Sequence, residues 1–269
     1  MEAGEFVHYR WHPCSPELGV LHARYRRHAF GRHAHSTYTI GVVEHGSEEL
    51  SYGDDREYAG AGDVVLINPE TIHTGRAMTG AGWTYHALYV PVGFVRSSLG
   101  EAPALTTRIA DDPVARNALR AAVRAMDEDV CTADTLLCTA LAHVFGRYGG
   151  HPRKQVQVRP VAAAARDILS DEHLAPPSLG ELAEVLGTTR FALLRAFRAT
   201  YGLPPHAYLT QYRVRKACTL IRRGADLAGA ATAVGFVDQA HLSRHFRKTL
   251  GITPGQYRRA VQERTRSAG

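Results

Sequence analysis

Two stretches of the last hundred or so residues follow one pattern. Ala183–Glu184–Val185–Leu186–Gly187 returns as Ala231–Thr232–Ala233–Val234–Gly235, 48 positions later. Leu193-x-Arg195-x-Phe197 returns as Leu242-x-Arg244-His245-Phe246, and Gly202-x-x-Pro205-x-x-Tyr208 as Gly251-x-x-Pro254-x-x-Tyr257, both 49 positions later. The extra residue falls between Gly235 and the second basic helix. A short apolar helix, a Gly turn and a basic amphipathic helix closed by Gly and Pro is the pattern of a helix-turn-helix. Two copies joined by a longer helix predict two recognition helices. At that separation both can enter successive major grooves on one face of a duplex, about 34 Å apart.

Local signals set the expected helix ends. Ser178-x-x-Glu181 ahead of Leu182 is a capping box, so a helix begins near Leu179 and stops at Gly187. Thr188 or Thr189 caps the next, expected from Arg190 to Tyr201, with Leu193 and Phe197 on its apolar side. Pro205 suits the first turn of a long helix to about Arg222, because its missing amide costs nothing there. Leu227–Val234 reads as a small-residue helix, and Asp238 caps the second recognition helix, about Gln239 to Leu250. Thr253-Pro254 starts a final short helix, followed by a polar tail.

Charge agrees with this reading. From Arg159 onward 17 Lys and Arg outnumber 8 Asp and Glu, whereas the rest of the chain holds 15 against 18. A basic half beside a mildly acidic one is an electrostatic footprint for phosphates. No run approaches the roughly 20 apolar residues of a membrane span, and mean hydropathy is −0.22, so a cytoplasmic protein without membrane contact is expected. The start carries no signal-peptide layout. Cys14, Cys131, Cys138 and Cys218 form no C-x-x-C pair, which argues for reduced thiols over a zinc ribbon or disulfide framework.

The amino-terminal half has a different grammar. Residues 1–18 read as an arm carrying Phe6, Tyr9 and Trp11. Residues 19–105 hold short β-rich runs, Tyr38–Val43, Glu48–Tyr52, Asp63–Ile67 and Thr84–Val90, broken by Gly46, Gly53, Gly60, Gly62, Gly80 and Gly82. Such spacing predicts a jelly-roll barrel. Residues 106–150 contain a helical pair, about Pro113–Glu128 and Thr132–Arg147, the second with a Leu137, Leu141, Val144, Phe145 stripe. The polar Gly/Pro-containing stretch Gly149–Gln155 marks the domain boundary, and a linker at 151–159 leads to an all-helical domain over 160–266. The fold class is therefore two-domain α+β.

The segment Ser178–Ala260 resembles the double helix-turn-helix domain of AraC/XylS-type transcription regulators. The resemblance rests on Ala231-x-x-Val234-Gly235-Phe236-x-x-Gln239-x-x-Leu242-x-Arg244-x-Phe246, followed by Gly251-x-x-Pro254-x-x-Tyr257-Arg258. Leu194 departs from it, standing where a polar residue usually faces DNA. The resemblance implies a sequence-specific promoter-binding regulator. Arg195 and Arg244 are its expected base readers, since Arg can donate two parallel hydrogen bonds to guanine O6 and N7. Arg190 and Phe191 are placed to reach a phosphate or base edge and a thymine methyl, and Gln239 and His241 hold similar positions in the second repeat. Arg198 is left for solvent or DNA. Lys248, Arg213, Arg258 and Arg259 suit phosphate contacts, which position without reading sequence.

The first half is similar to the cupin-like effector domain of many such regulators, on three features: Arg32-His33-Ala34-His35, Gly62-Asp63-Val64-Val65, and Pro69-Glu70-Thr71-Ile72-His73. The resemblance implies a pocket for a small polar effector, with His33, His35, Tyr38, His73 and His86 as lining candidates and Tyr89 beside them. In metal-binding cupins a His-x-His, a Glu and a later His converge, so His33, His35 and His73 are the ligand set if a metal binds. Ser36–Ile40 offers no Glu and Glu44 lies too far along, so no cofactor and no enzyme are expected. A cupin metalloenzyme fused to a DNA-binding module, and an effector-independent DNA-binding protein, are the alternatives. The helical pair is a candidate homodimer surface, and an activator would also meet RNA polymerase.

Overall fold

Alternation along β-strands organises the first half of the chain. The computed structural model describes residues 4–12, 15, 17–126, 130–150 and 159–267. They divide into two compact units, Met1–Arg153 with Arg259–Gly269, and Lys154–Arg258. The first unit contains β1 (Phe6–Trp11), β2 (Gly19–Tyr25), β3 (Ala29–His33), β4 (Thr37–Tyr52), β5 (Asp55–Gly60), β6 (Val64–Ile67), β7 (His73–Ala77) and β8 (Trp83–Pro91). These are followed by α1 (Val92–Leu99), β9 (Ala104–Leu105), β10 (Ile109–Ala110), α2 (Pro113–Ala125), α3 (Val130–Tyr148) and β11 (Gly149–Gly150). The residues expected to form an arm instead add β1 to the sheet, antiparallel to β2 from Phe6↔Arg24 to Trp11↔Gly19. The expected linker at 151–158 lies outside the described residues.

β4 is the organising strand. Its first part pairs with β8 and β6 in the order β1-β2-β8-β4-β6-β10, and its second part pairs with β5 and β7. The sequence reading splits this segment at Gly46. In the structure Gly46 takes a positive φ of 74° beside a register shift at Val43/His45, so the strand bends through a bulge rather than ending. A β-carbon at Gly46 would collide with the Gly82 carbonyl, which reserves the position for glycine.

The two faces of β4 serve different cores. Tyr38, Ile40 and Val42 join Val64, Leu66, Leu88, Leu119, Leu137, Val144 and Phe145 in the core between sheet and helices. Val43, Leu50, Tyr52, Ala59, Val65 and Ile67 form a second cluster on the other face. The helix α2 is started by Asp112, whose carboxylate accepts from the amides of Val114 and Ala115, and α3 carries the expected Leu137–Phe145 stripe into the core.

In the second unit α4 (Pro160–Asp171), α5 (Leu179–Val185) and α6 (Arg190–Tyr201) precede the long α7 (Pro205–Arg222). Then come α8 (Leu227–Ala233), α9 (Gln239–Leu250) and α10 (Pro254–Ser267), the last continuing well beyond the short helix expected, with its residues from Arg259 on grouped with the first unit. The capping box at Ser178 and Glu181 is formed in both directions. Thr189 caps α6 and Asp238 caps α9 through the amides of Ala192 and His241. Phe197 and Phe246 are fully buried. The first sits against Tyr201 and Tyr208, the second against Tyr257.

Candidate DNA-reading helices and barrel cavity

The two repeats fold into matching parts. Helices α6 and α9 are each 12 residues long, each begins one residue after a side-chain cap, and each ends at a left-handed glycine, Gly202 or Gly251. Arg195 and Arg244 are the sixth residues of their helices. Both are exposed, and neither makes a hydrogen bond or ion pair among the described residues. On α6, Phe191, Arg195 and Arg198 form an exposed stripe at helical spacing, and Phe191 keeps 80% of its surface open. Arg190 is exposed too, its guanidinium lying over Gly180 of α5. On α9, Gln239, Arg244 and Lys248 are exposed, whereas His241 is half-buried and packs edge-on against Phe236.

Two of the expected phosphate contacts are half-buried. Arg213 turns into the domain, donating from both Nε and Nη2 to the His173 carbonyl, with the Nε bond at 2.8 Å. Arg258 is half-buried, and its Nε is enclosed without a hydrogen-bond partner. Leu194, the departure from the family pattern, lines an apolar groove with Leu169, Leu182 and Leu209.

Inside the barrel His33 and His73 are direct cross-strand partners, and His35 follows just after β3. One ligand nitrogen from each of the three rings lies within 4.8 Å of the others. His33 Nδ1 is 2.8 Å from the Gly31 carbonyl and His73 Nδ1 is 2.9 Å from that of Thr71. A carbonyl only accepts, so in each ring Nδ1 carries the proton and Nε2 keeps its lone pair. Burial lowers the His33 pKa to about 3 and the His73 pKa to about 4, which holds both rings neutral. Neutral imidazoles whose second nitrogen is fixed by a carbonyl suit either a ligand hydroxyl or a metal ion.

The cavity of about 50 Å³ that these rings border is also walled by Thr39, Gly41 and Val43 of β4, Tyr85, Ala87 and Tyr89 of β8, and Glu48. Tyr38 and His86, expected in this lining, face the other way. Strand alternation explains both: residues 39, 41, 43 and 85, 87, 89 point inward, so 38 and 86 cannot. Tyr38 donates instead to the Pro103 carbonyl at 2.8 Å and meets Phe145 edge-on. His86 stacks on His22 with ring centroids 4.0 Å apart and approaches Glu44.

The sequence reading found no carboxylate for this site, yet Glu48 reaches it. The bulge in β4 shifts the inward parity from odd to even numbers, exchanging Thr39, Gly41 and Val43 for Glu48, Leu50 and Tyr52. The Glu48 carboxyl lies against Gly75, where any β-carbon would collide with it. It makes no hydrogen bond among the described residues, and burial pushes its pKa up to about 8. Thr39 Oγ1 is likewise buried without a partner.

A pH signature follows. Folded Glu48 keeps its proton up to about pH 8, against an ordinary 4.5. The folded chain therefore binds more protons than the unfolded one across that window, and stability falls as pH rises through it. His33 and His73 act oppositely: their contribution is present above the ordinary 6.5 and is lost as pH falls toward 4 and 3. Glu48→Gln is expected to raise the thermal midpoint more at pH 8 than at pH 5. An equal shift at both values would mean that the carboxyl is ionised in the folded barrel.

Comparison with known proteins agrees with both halves. Residues 15–145 match the family described as AraC-like ligand binding domain, and residues 182–260 match the helix-turn-helix domain family. The chain belongs to the AraC/XylS class of transcription regulators. It is 23% identical to the uncharacterized HTH-type transcriptional regulator YbfI of Bacillus subtilis over 79% of this chain and 81% of that one. A putative AraC-like transcription regulator of Streptomyces lividans is 36% identical over 37% of this chain and 33% of its own length. Apo ToxT from Vibrio cholerae superposes with a TM-score of 0.60 at 14% identity, covering 92% of this chain and 98% of ToxT. ToxT bound to an unsaturated fatty acid gives 0.54 at 13% identity, covering 96% and 95%. These likenesses show a shared two-domain fold. This AraC-type regulator thus binds DNA through its second unit and carries a ligand-binding domain in its first.

Proposed function

We propose that this regulator senses a small polar molecule in the barrel cavity and that occupancy biases how α6 and α9 sit on a promoter. The observation that carries the sensor reading is that Thr39 Oγ1 and the Glu48 carboxyl, neither with a hydrogen-bond partner among the described residues, border the same space as the three imidazoles. Buried polar groups left unpaired cost roughly 1–3 kcal/mol each, so a ligand that satisfies them gains that much in discrimination over one that does not. The relatives named above are transcription regulators, and we read the barrel as a sensor rather than an enzyme. No helix among the described residues is long and apolar enough to cross a membrane, which supports a cytoplasmic setting. A homodimer through the exposed side of α3, and contact with RNA polymerase when bound upstream of a promoter, complete the reading.

The test is a thermal-shift screen of sugars, polyols and hydroxy acids. A hit at about 100 times its Kd should stabilise the chain by about 2.7 kcal/mol, and Thr39→Val should remove most of that gain. A hit that stabilises the valine variant equally would place the ligand outside this cavity.

The imidazole geometry favours a second reading, a divalent transition metal held by His33, His35 and His73 with a coordination position left for solvent or effector. Elemental analysis of protein purified without a His tag separates the two. The sensor reading expects far less than one equivalent of zinc or iron. One equivalent, lost in a His73→Ala variant, would make the three histidines ligands.

A further inference from the structure

Arg213 occupies a place that neither base reading nor phosphate contact explains. We propose that Arg213 is the brace that fixes the angular phase between the recognition helices α6 and α9. The proposal rests on both helices entering the same DNA.

The guanidinium lies between one element of each half of the domain. On one side it donates twice to the carbonyl of His173, in the turn that ends α4. On the other it lies against Gly235, where a β-carbon would stand 2.9 Å from Nη2 and 3.0 Å from Cζ. Gly235 is the turn that ends α8, with Phe236 N returning to the Ala231 carbonyl at 3.0 Å. Helix carboxy-termini carry partial negative charge, so one cation is favoured at both ends together. Helix α4 packs on α6, α8 packs on α9, and α7, which bears Arg213, packs on α4, α6, α8 and α9. Joining the ends of α4 and α8 therefore constrains α6 relative to α9.

The grip on the first half is itself rigid. His173 Nδ1 lies 3.0 Å from the Ser170 carbonyl, its ring meets Tyr212 edge-on, and Lys216 Nζ stands 3.3 Å from its Nε2. The contact at Gly235 is not a general need of the turn either. Gly187, its counterpart in the first repeat, shares the positive φ but has open space where a β-carbon would be. Only the second turn is built to receive a side chain from α7.

The test uses the full chain and a duplex that it selects from a random library. Inserting one base pair between the two half-elements moves the far groove by about 3.4 Å and about 34°. Wild type should lose about tenfold or more on that insertion, because a rigid pair cannot follow it. Arg213→Ala should bind the intact site about tenfold more weakly and lose less than about threefold on insertion. It should match wild type within about twofold on an isolated half-element. Its salt dependence should stay unchanged, whereas loss of a phosphate contact would lower the log–log slope by about 1. Arg213→Lys, which keeps the cation but not the fork, should fall between the two. If circular dichroism shows that the alanine variant does not fold, the lysine variant carries the same comparison. A retained insertion penalty, or equal losses on whole and half sites, would overturn the brace. If wild type itself selects no bipartite site, the paired-helix reading fails instead.

Discussion

Phe197→Ala and Phe246→Ala are each expected to destabilise the DNA-binding unit by about 3–5 kcal/mol, the cost of removing a fully buried aromatic anchor. That is a large part of the stability of a domain of this size, typically about 5–15 kcal/mol. Phe197 lies among Leu182, Leu193 and Leu209, and Phe246 packs on Tyr257, so the two losses should fall on different halves. Phe246→Ala should release the second recognition helix while the first half keeps its fold. Hydrogen exchange read by mass spectrometry would show this as lost protection confined to 227–258. Uniform loss across the whole unit would mean that the halves fold as one, and protection unchanged in both would remove the anchor assignment.

Arg195→Ala and Arg244→Ala should behave quite differently. Both residues are exposed and make no hydrogen bond or ion pair among the described residues, so the thermal midpoint should barely move. Binding to a selected site should weaken by about 1–3 kcal/mol per substitution, and discrimination should relax at one base position in each case. On random DNA the loss should be much smaller. Equal weakening on selected and random DNA would reassign these side chains to phosphates. The identical helix positions of the two arginines make a further point. Each substitution should relax a different half of the site.

What the sequence made legible was whatever depends on near neighbours along the chain. The caps Ser178, Thr189 and Asp238, the glycines that end α6 and α9, and the core phenylalanines all act within a turn or two, so the double helix-turn-helix could be read almost residue by residue. The barrel was harder because its register depends on pairing between distant strands. The bulge beyond Val43 flips the facing of everything after it, which hid Glu48. Tyr38 and His86 were grouped with His33 and Tyr89 although each lies an odd number of positions from an inward residue on its own strand. Alternation alone excludes them once the strands are known. The strand Phe6–Trp11 alternates Val7, Tyr9 and Trp11 with His8 and Arg10, a period-2 signal that the arm reading passes over. Arg213 was assigned to phosphates by its charge, and only the approach of His173, forty residues earlier, gives it another task.

The central claim is that α6 and α9 read the same duplex in neighbouring major grooves. Methylation protection at guanine N7 tests it directly, with the full chain bound to DNA that it has selected. Two protected clusters about one helical turn apart on one face are expected, one lost in Arg195→Ala and the other in Arg244→Ala. A single cluster, or protection that both variants leave intact, would contradict it.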